Sequence, residues 1–381
     1  MLIEGHAMQT ARIAIVGGGL SGLYAAYLLQ QKGIKNFVVF EARESLGGRI
    51  QSVATNSATA PTCVTSSRRD RFDLGPTWFW PAMQPQLDSV VRELGISRFE
   101  QYETGDMMVE RSNNDTPSRT RGFMNSPTSM RLVGGMAALT DALASKLDPN
   151  RLHVGEAVRE LRRIKSSVEV RSVDVVGKIR ETSVEHVLLA LPPRLVEASL
   201  CFSPGLPDVL RRQWRDTPTW MAPHAKYIAT YRTAFWRERG LSGEARSMAG
   251  PLGEIHDASM PGGSAALFGF LGVPANIRMT VKEDALRAHC RAQLVRLFGA
   301  EASTPESEFI KDWARDPYTC TANDLDGFSG HAASASCNVP DGPWKELLTG
   351  IASEYSEQFP GYLAGAIEAA HRGVSRLLAE R

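Results

Sequence analysis

RIAIVGGGLSGLYAAYLL, from Arg12 to Leu29, is the stretch from which the fold is read. Ile13 to Gly17 is an apolar run with almost no polar interruption, as a buried strand requires. Gly17, Gly19 and Gly22 then supply G-x-G-x-x-G at a turn. Leu20, Leu23, Tyr24, Tyr27 and Leu28 follow at three- and four-residue steps, which trace one face of a helix. The first glycine allows the tight turn, the second lets a pyrophosphate approach the backbone, and the third lets helix and strand pack closely. Free N–H groups at the helix start, helped by the helix dipole, face the phosphates. A second strand, Phe37–Phe40 (FVVF), ends at Glu41, nineteen residues after Gly22. A dinucleotide fold places there the acid that binds ribose hydroxyls. Strand, glycines, helix, strand and acid in this order make a Rossmann-like βαβ unit, which serves NAD and FAD alike.

The remaining composition narrows the class. With 381 residues the chain is long enough for two domains with well-buried cores. Hydrophobic residues at 43% and charged ones at 22% argue for a globular protein and against disorder. A net charge of +1 gives no global field for nucleic acid or an anionic membrane. No apolar run approaches the ~20 residues of a membrane span. The start, MLIEGHAMQT, lacks the basic beginning and apolar core of a secretory signal, and Met8 offers a second start. Five scattered cysteines without C-x-x-C suit a reducing cytoplasm and no zinc knuckle. Eight histidines without H-E-x-x-H or a close pair predict no metal site.

After Glu41 the chain reads Ala42-Arg43-Glu44-Ser45-Leu46-Gly47-Gly48-Arg49. The glycine pair permits a second close backbone approach, and Arg49 brings a forked donor suited to phosphate. Coming just after the acid, this segment favours FAD over NAD. IAIVGGGLSGLYAAYLL…VVFEARESLGGRI resembles the amino-terminal signature of the flavin-containing amine oxidases, which include monoamine, polyamine and L-amino-acid oxidases.

The resemblance implies an α/β fold: a discontinuous Rossmann-like FAD-binding domain with an inserted α+β substrate domain. It assigns residues 8–78, 140–220 and 315–381 to the first, and 79–139 and 221–314 to the second. Residues 54–70 are polar and turn-rich, a mobile loop. Phe72-Asp73-Leu74-Gly75-Pro76-Thr77-Trp78-Phe79-Trp80-Pro81 is similar to the family segment returning to the flavin, which puts Thr77 at the ring and Trp78 on the substrate cavity. A helix is expected from Gly134-Gly135-Met136 to about Leu147, followed by strands. Val158 matches the valine whose backbone meets the adenine, and Val187–Leu191 with Pro192-Pro193 matches the strand closing this segment.

From Ala225, AKYIATYRTAFWRERGLSG alternates with period two, placing Lys226, Ile228 and Thr230 on one side. A lone lysine at a strand head is ordinarily solvated. K-x-I-x-x-Y-x-x-x-F-W, from Lys226 to Trp236, is similar to the family strand whose lysine holds a water against flavin N5. Burial there favours the neutral amine or a tightly hydrogen-bonded ammonium. Strands across GPLGEIHDASMPGGSAALFGFLG floor the cavity, with Phe268 and Phe270 as lining. No second nucleotide-binding unit occurs, so no resident NADPH is expected.

Asp312-Trp313-Ala314-Arg315-Asp316-Pro317-Tyr318-Thr319 resembles the family's return to the FAD domain, with Trp313 near the flavin. Where some monoamine oxidases tether FAD by cysteine, nine residues later, this chain has Ala322, and Cys320 lies two residues before it. The resemblance therefore implies noncovalent FAD. Asn323 stands where one of two cage tyrosines is usual. In ASEYSEQFPGYLAGAIEAAHRGVSRLL, Glu354 matches the glutamate at the ribityl–phosphate region, and Tyr362 the other cage tyrosine. Leu363, Ile367, Ala370, Val374 and Leu377 mark one face of a terminal helix whose start points at flavin N1–C2=O.

The implied FAD contacts are Gly17, Gly19, Ser21, Gly22, Glu41, Ala42, Arg43, Gly48, Arg49, Thr77, Val158, Trp313, Glu354 and Leu363. The implied catalytic groups are Lys226, Tyr362 and Trp78. The implied reaction oxidises an amine to an imine, which hydrolyses to a carbonyl and ammonia, with O2 reduced to H2O2. Expected partners are a small-molecule amine and O2, with no nucleic acid and no membrane. An L-amino-acid oxidase, which needs an arginine for the substrate carboxylate, and a flavin dehydrogenase or desaturase acting on a non-amine are the alternatives. Lys226 argues against the latter.

Overall fold

The computed structural model describes residues 9–55, 70–325 and 333–379. The start of the chain with Met8, and most of the 54–70 loop with Cys63, lie outside them. The chain divides into two compact units, Met1–Arg49 with Leu139–Trp220 and Phe328–Arg381, and Ile50–Ala138 with Met221–Gly327.

The first unit is built on a five-stranded, all-parallel sheet. Its order is Leu152–His153, Phe37–Phe40, Ile13–Val16, His186–Leu189, Leu348–Gly350. Strands covered on both faces carry apolar side chains without alternation, which is why IAIV and FVVF are buried throughout. His186 is the polar exception; its ring nitrogens meet the Glu346 carbonyl at 2.8 Å and the Thr349 hydroxyl at 3.0 Å. Each such Val, Ile or Phe contributes about 1.5–3 kcal/mol on burial. The first helix, Leu20–Gln31, packs beside the terminal helix, Leu363–Ala379. Ile367, Ala370, Val374 and Leu377 form the buried face of the latter. A second five-stranded sheet contains Val158 on the Glu156–Ile164 strand. Register shifts between Val158 and Glu160, a bulge that interrupts the ladder beside Val158.

The second unit is organised by a seven-stranded sheet in the order Ser307–Asp312, Ala225–Tyr231, Ala265–Leu271, Leu252–Asp257, Leu241–Ser247, Asp106–Glu110, Ser118–Arg121. The Lys226 strand is central, and all seven of its residues are buried. Period-two alternation distributes them between two cores. Tyr227, Ala229 and Tyr231 join Leu286, Leu294 and Phe298 of the Glu283–Phe298 helix. Ile228 faces Phe72, Leu74 and Phe268. The helix expected to reach about Leu147 runs Ala137–Ser145.

The unit boundaries differ from the sequence expectation at two places. Residues 50–78 and 315–327 group with the second unit, not with the glycine turn. The reason lies in local bonding. The Arg71–Asp73 strand pairs with Ser52–Ala54, the Asp73 carboxylate accepts from Met136 N at 2.7 Å, and Lys311 bonds Asp316 at 2.8 Å.

Candidate active site

In the first unit, the three motif glycines do different things. Gly17 has φ +111°, and a Cβ there would lie 2.7 Å from the Ala190 carbonyl oxygen. A Cβ on Gly22 would lie 1.9 Å from the Gly17 carbonyl oxygen. Both positions are closed by the protein itself. Gly19 is different: a Cβ there meets nothing nearer than Gly47 O and Gly48 Cα, at 3.8 Å. What its hydrogen spares is room for something other than this chain. Gly47 N donates to Gly18 O at 2.9 Å, joining the two glycine-rich turns. No side chain caps the helix that starts at Leu20 and no acid lies in its first turn, so its terminal N–H groups suit an anion.

Glu41 is buried, and its two oxygens accept from Gly18 N and Arg43 N, each at 2.8 Å. The two bonds fix the carboxylate and leave lone pairs for hydroxyl donors. This arrangement fits the adenosine end of FAD. Arg49 and Glu354 are 305 residues apart and form a forked pair, Nη1 to Oε1 at 2.5 Å and Nη2 to Oε2 at 3.0 Å. Glu354 is only 3% exposed. Glu354→Gln breaks a mostly buried ion pair, and the expected cost is about 3–5 kcal/mol, read as a lowered melting temperature that Arg49→Met in the same chain partly restores.

Tyr362 stacks obliquely on Trp220, with ring centroids 5.2 Å apart at 53°. Burial raises its phenol pKa. Asn323 is exposed on a short 3-10 turn of the second unit. Trp220 is a residue the sequence reading missed, because nothing in the local pattern around it points to Tyr362.

In the second unit, Lys226 is 2% exposed. Its ammonium donates to Asp73 O at 2.7 Å, Gly75 O at 2.9 Å and Thr77 Oγ1 at 2.5 Å. It also lies 4.1 Å from the centroid of Phe268 and 5.6 Å from that of Phe270, at cation–π range. Burial lowers its pKa to about 7, opposed by the Asp73 carboxylate and assisted by Arg131. Asp73 moves the other way, raised by the same burial. Its Oδ1 accepts from Ser52 Oγ at 2.6 Å and Met136 N, while Oδ2 is buried with no hydrogen-bond partner among the described residues. Trp313 Nε1 donates to Leu74 O at 3.1 Å, holding the same segment from another side.

Trp78 is half-buried. It meets His256 edge-on at 4.8 Å and packs on Phe268 at 5.3 Å and Phe270 at 6.4 Å. Its indole donates to Gln101 Oε1 at 2.8 Å, and Gln101 donates on to Asp257 O. Behind His256, Glu254 accepts from Nε2 at 2.6 Å and pairs with Arg246, which also binds Glu244 at 3.0 Å. Burial alone would raise Glu254, but the bonds from His256 and Arg246 win and hold it at about 2. Glu244 is raised by its burial.

The first unit thus gathers Gly17, Gly19, Ser21, Gly22, Glu41, Ala42, Arg43, Gly48, Arg49, Val158, Glu354, Tyr362 and Leu363. Thr77, Trp78, Lys226 and Trp313 belong to the second. His256 and the side chain of Asp73 carry charge or polarity there that the sequence reading did not single out. For Asp73 a signal existed, an acid in an otherwise apolar run before Leu-Gly.

Comparison with known proteins agrees with this geometry. The model for flavin containing amine oxidoreductases matches residues 97–378, and that for NAD(P)-binding Rossmann-like domains matches residues 15–94. A probable flavin-containing monoamine oxidase A of Dictyostelium discoideum is 22% identical over 94% of this chain and 96% of its own. Putrescine oxidase of Kocuria rosea is 26% identical over 61% of this chain and 50% of its own. Among solved structures, putrescine oxidase bound to putrescine superposes with TM-score 0.75 at 19% identity, covering 98% of this chain and all of the other. Cyclohexylamine oxidase from Brevibacterium oxydans gives TM-score 0.77 at 17% identity, covering 97% and 99%. These structural likenesses show the shared fold. Because the first model spans most of the chain, this protein belongs to the flavin-containing amine oxidoreductase family and is an amine-oxidising oxidoreductase.

Proposed function

We propose that this chain binds FAD noncovalently and oxidises a small amine to an imine, which water hydrolyses to a carbonyl compound and ammonia or an amine. FAD, when bound, accepts the electron pair of the amine's α C–H bond and hands it to O2, giving H2O2. The protein's part is to hold, orient and dry the reactants. Glu41 and the N–H groups after Gly19 bind the adenosine and pyrophosphate. Trp78, Phe268 and Phe270 offer an apolar wall on which a neutral amine sheds water; Tyr362 with Trp220 offers a second aromatic surface. Lys226 is the polar group set within the first of these walls. That burial, at 2% exposure, is the observation that carries the reading, since an amine in water would not need three protein oxygens.

The groups beside Trp78 favour a simple amine over an amino acid. His256, Glu254, Arg246 and Glu244 hold two carboxylates against one guanidinium, and Arg246 already serves both. An α-carboxylate finds no open fork in that set.

Anaerobic mixing tests this. Alkylamines, aryl amines and diamines are expected to bleach the flavin absorbance, and L-amino acids to do so at least ~10-fold more slowly, one missed polar contact being worth about 1–3 kcal/mol. Bleaching by L-amino acids alone reverses the substrate assignment. No bleaching by any amine removes the amine reaction and favours a non-amine substrate. Admission of air is then expected to return the colour with one H2O2 per amine.

A further inference from the structure

A count of protons at Lys226 carries a conclusion about Thr77. The ammonium nitrogen lies within hydrogen-bond range of three oxygens: the carbonyls of Asp73 and Gly75 and the hydroxyl of Thr77. Carbonyls only accept. Three bonds from nitrogen need three N–H groups, which the ammonium has and the neutral amine lacks. With Lys226 charged, Thr77 Oγ1 is an acceptor, and its own proton is left for another partner. With Lys226 neutral, two N–H groups remain for the two carbonyls. The lone pair then faces Thr77, the one partner of the three that has a proton to give.

We propose that Lys226 acts through Thr77: the ammonium keeps the Thr77 hydroxyl proton available as the donor to a bound flavin, and deprotonation of Lys226 turns that proton back onto the lysine nitrogen. This rests on the reading that FAD is the oxidant here. Thr77 is the group that touches the coenzyme, and Lys226 is its positioning residue, with no donor left over for a water of its own. The surroundings hold the lysine in this role. Asp73 and Arg131 are the charged groups acting on it, with opposite sign, and the faces of Phe268 and Phe270 cover it. Arg131 is itself committed to Ser259 O at 3.1 Å and Ala258 O at 2.8 Å. Thr77 is 5% exposed, so bulk water does not compete freely for its hydroxyl.

The test uses purified, FAD-loaded protein and reads the visible absorption of the oxidised flavin against pH, without substrate. Wild type is expected to show a spectral transition centred near 7, the value to which burial brings Lys226. Thr77→Ser keeps it; Lys226→Met and Thr77→Val both abolish it. In anaerobic stopped flow with a reducing amine, Thr77→Val and Lys226→Met slow reduction by similar factors, and the double variant is no slower than either single one. A transition that survives in Thr77→Val, a serine variant without one, or rate losses that multiply in the double variant each overturn the proposal. So does a wild type with no transition. If the valine variant does not retain FAD, Thr77→Ala replaces it under the same criteria. If no amine reduces wild type, the amine reaction fails while the spectral titration still decides the role of Thr77.

Discussion

Gly22→Val is expected to give a colourless, poorly folded protein, whereas Gly19→Ala is expected to fold normally and lose its grip on FAD. The two glycines belong to one motif, yet the structure separates them. A Cβ at Gly22 would sit 1.9 Å from the Gly17 carbonyl oxygen and 3.3 Å from the Ala190 Cβ. Neither backbone oxygen nor strand can retreat without breaking the sheet, because Gly17 N is held to Phe40 O at 2.8 Å and Ala190 N to Val16 O at 2.8 Å. Overpacking of this kind costs 1–3 kcal/mol or more even where side chains can yield, and a domain has only about 5–15 kcal/mol of stability. At Gly19, φ is −77° and the added methyl finds no atom closer than 3.8 Å. The apoprotein of Gly19→Ala should therefore melt within about 2 °C of wild type. A pyrophosphate approaching that backbone would meet the methyl, and a clash of 1–3 kcal/mol weakens binding about 5- to 150-fold. Circular dichroism and flavin titration check both halves. Wild-type FAD affinity in Gly19→Ala would mean that no phosphate approaches this turn.

Lys226→Met is expected to leave FAD bound while slowing its reduction by amine, or its reoxidation by O2, by about 10²-fold, at the low end for a positioned proton-handling group. Stability should change little, because two terms oppose. Methionine removes an amine that burial has already pushed down to about 7. It also leaves the buried carbonyls of Asp73 and Gly75 without their donor, at about 1–3 kcal/mol if either goes unsatisfied. Lys226→Arg is expected to be no rescue: the planar fork is too wide to serve three oxygens gathered round one nitrogen. The sign of the pH effect follows from the direction of the shift. Below about 7 the ammonium is present and the wild-type rate exceeds that of the methionine variant; as pH rises through that value the two converge. Turnover in Lys226→Met equal to wild type at pH 6 would remove Lys226 from the mechanism.

How much of this was legible beforehand depended on the distance over which each feature is encoded. Ile13–Val16, the glycine turn, Leu20–Gln31 and Phe37–Phe40 were readable because apolar period and glycine spacing are local properties. The strand alternation around Lys226 was readable for the same reason, and its two faces do enter different cores. The segment around Asp73 and Thr77 was placed with the flavin-binding half, since motif resemblance says which residues meet a coenzyme and not which sheet they pack on. Arg49 was read as a phosphate ligand, whereas its guanidinium closes on Glu354.

The sequence by itself determined a dinucleotide-binding βαβ unit and a family, because both are written in short runs of residues with fixed spacing. Tertiary structure alone decided that Lys226 has three oxygen partners, that Trp220 lies against Tyr362, and that Gly19, unlike Gly22, borders open space. Those are facts about atoms brought together from far along the chain, and their energies come from burial and bond counting that no local pattern contains.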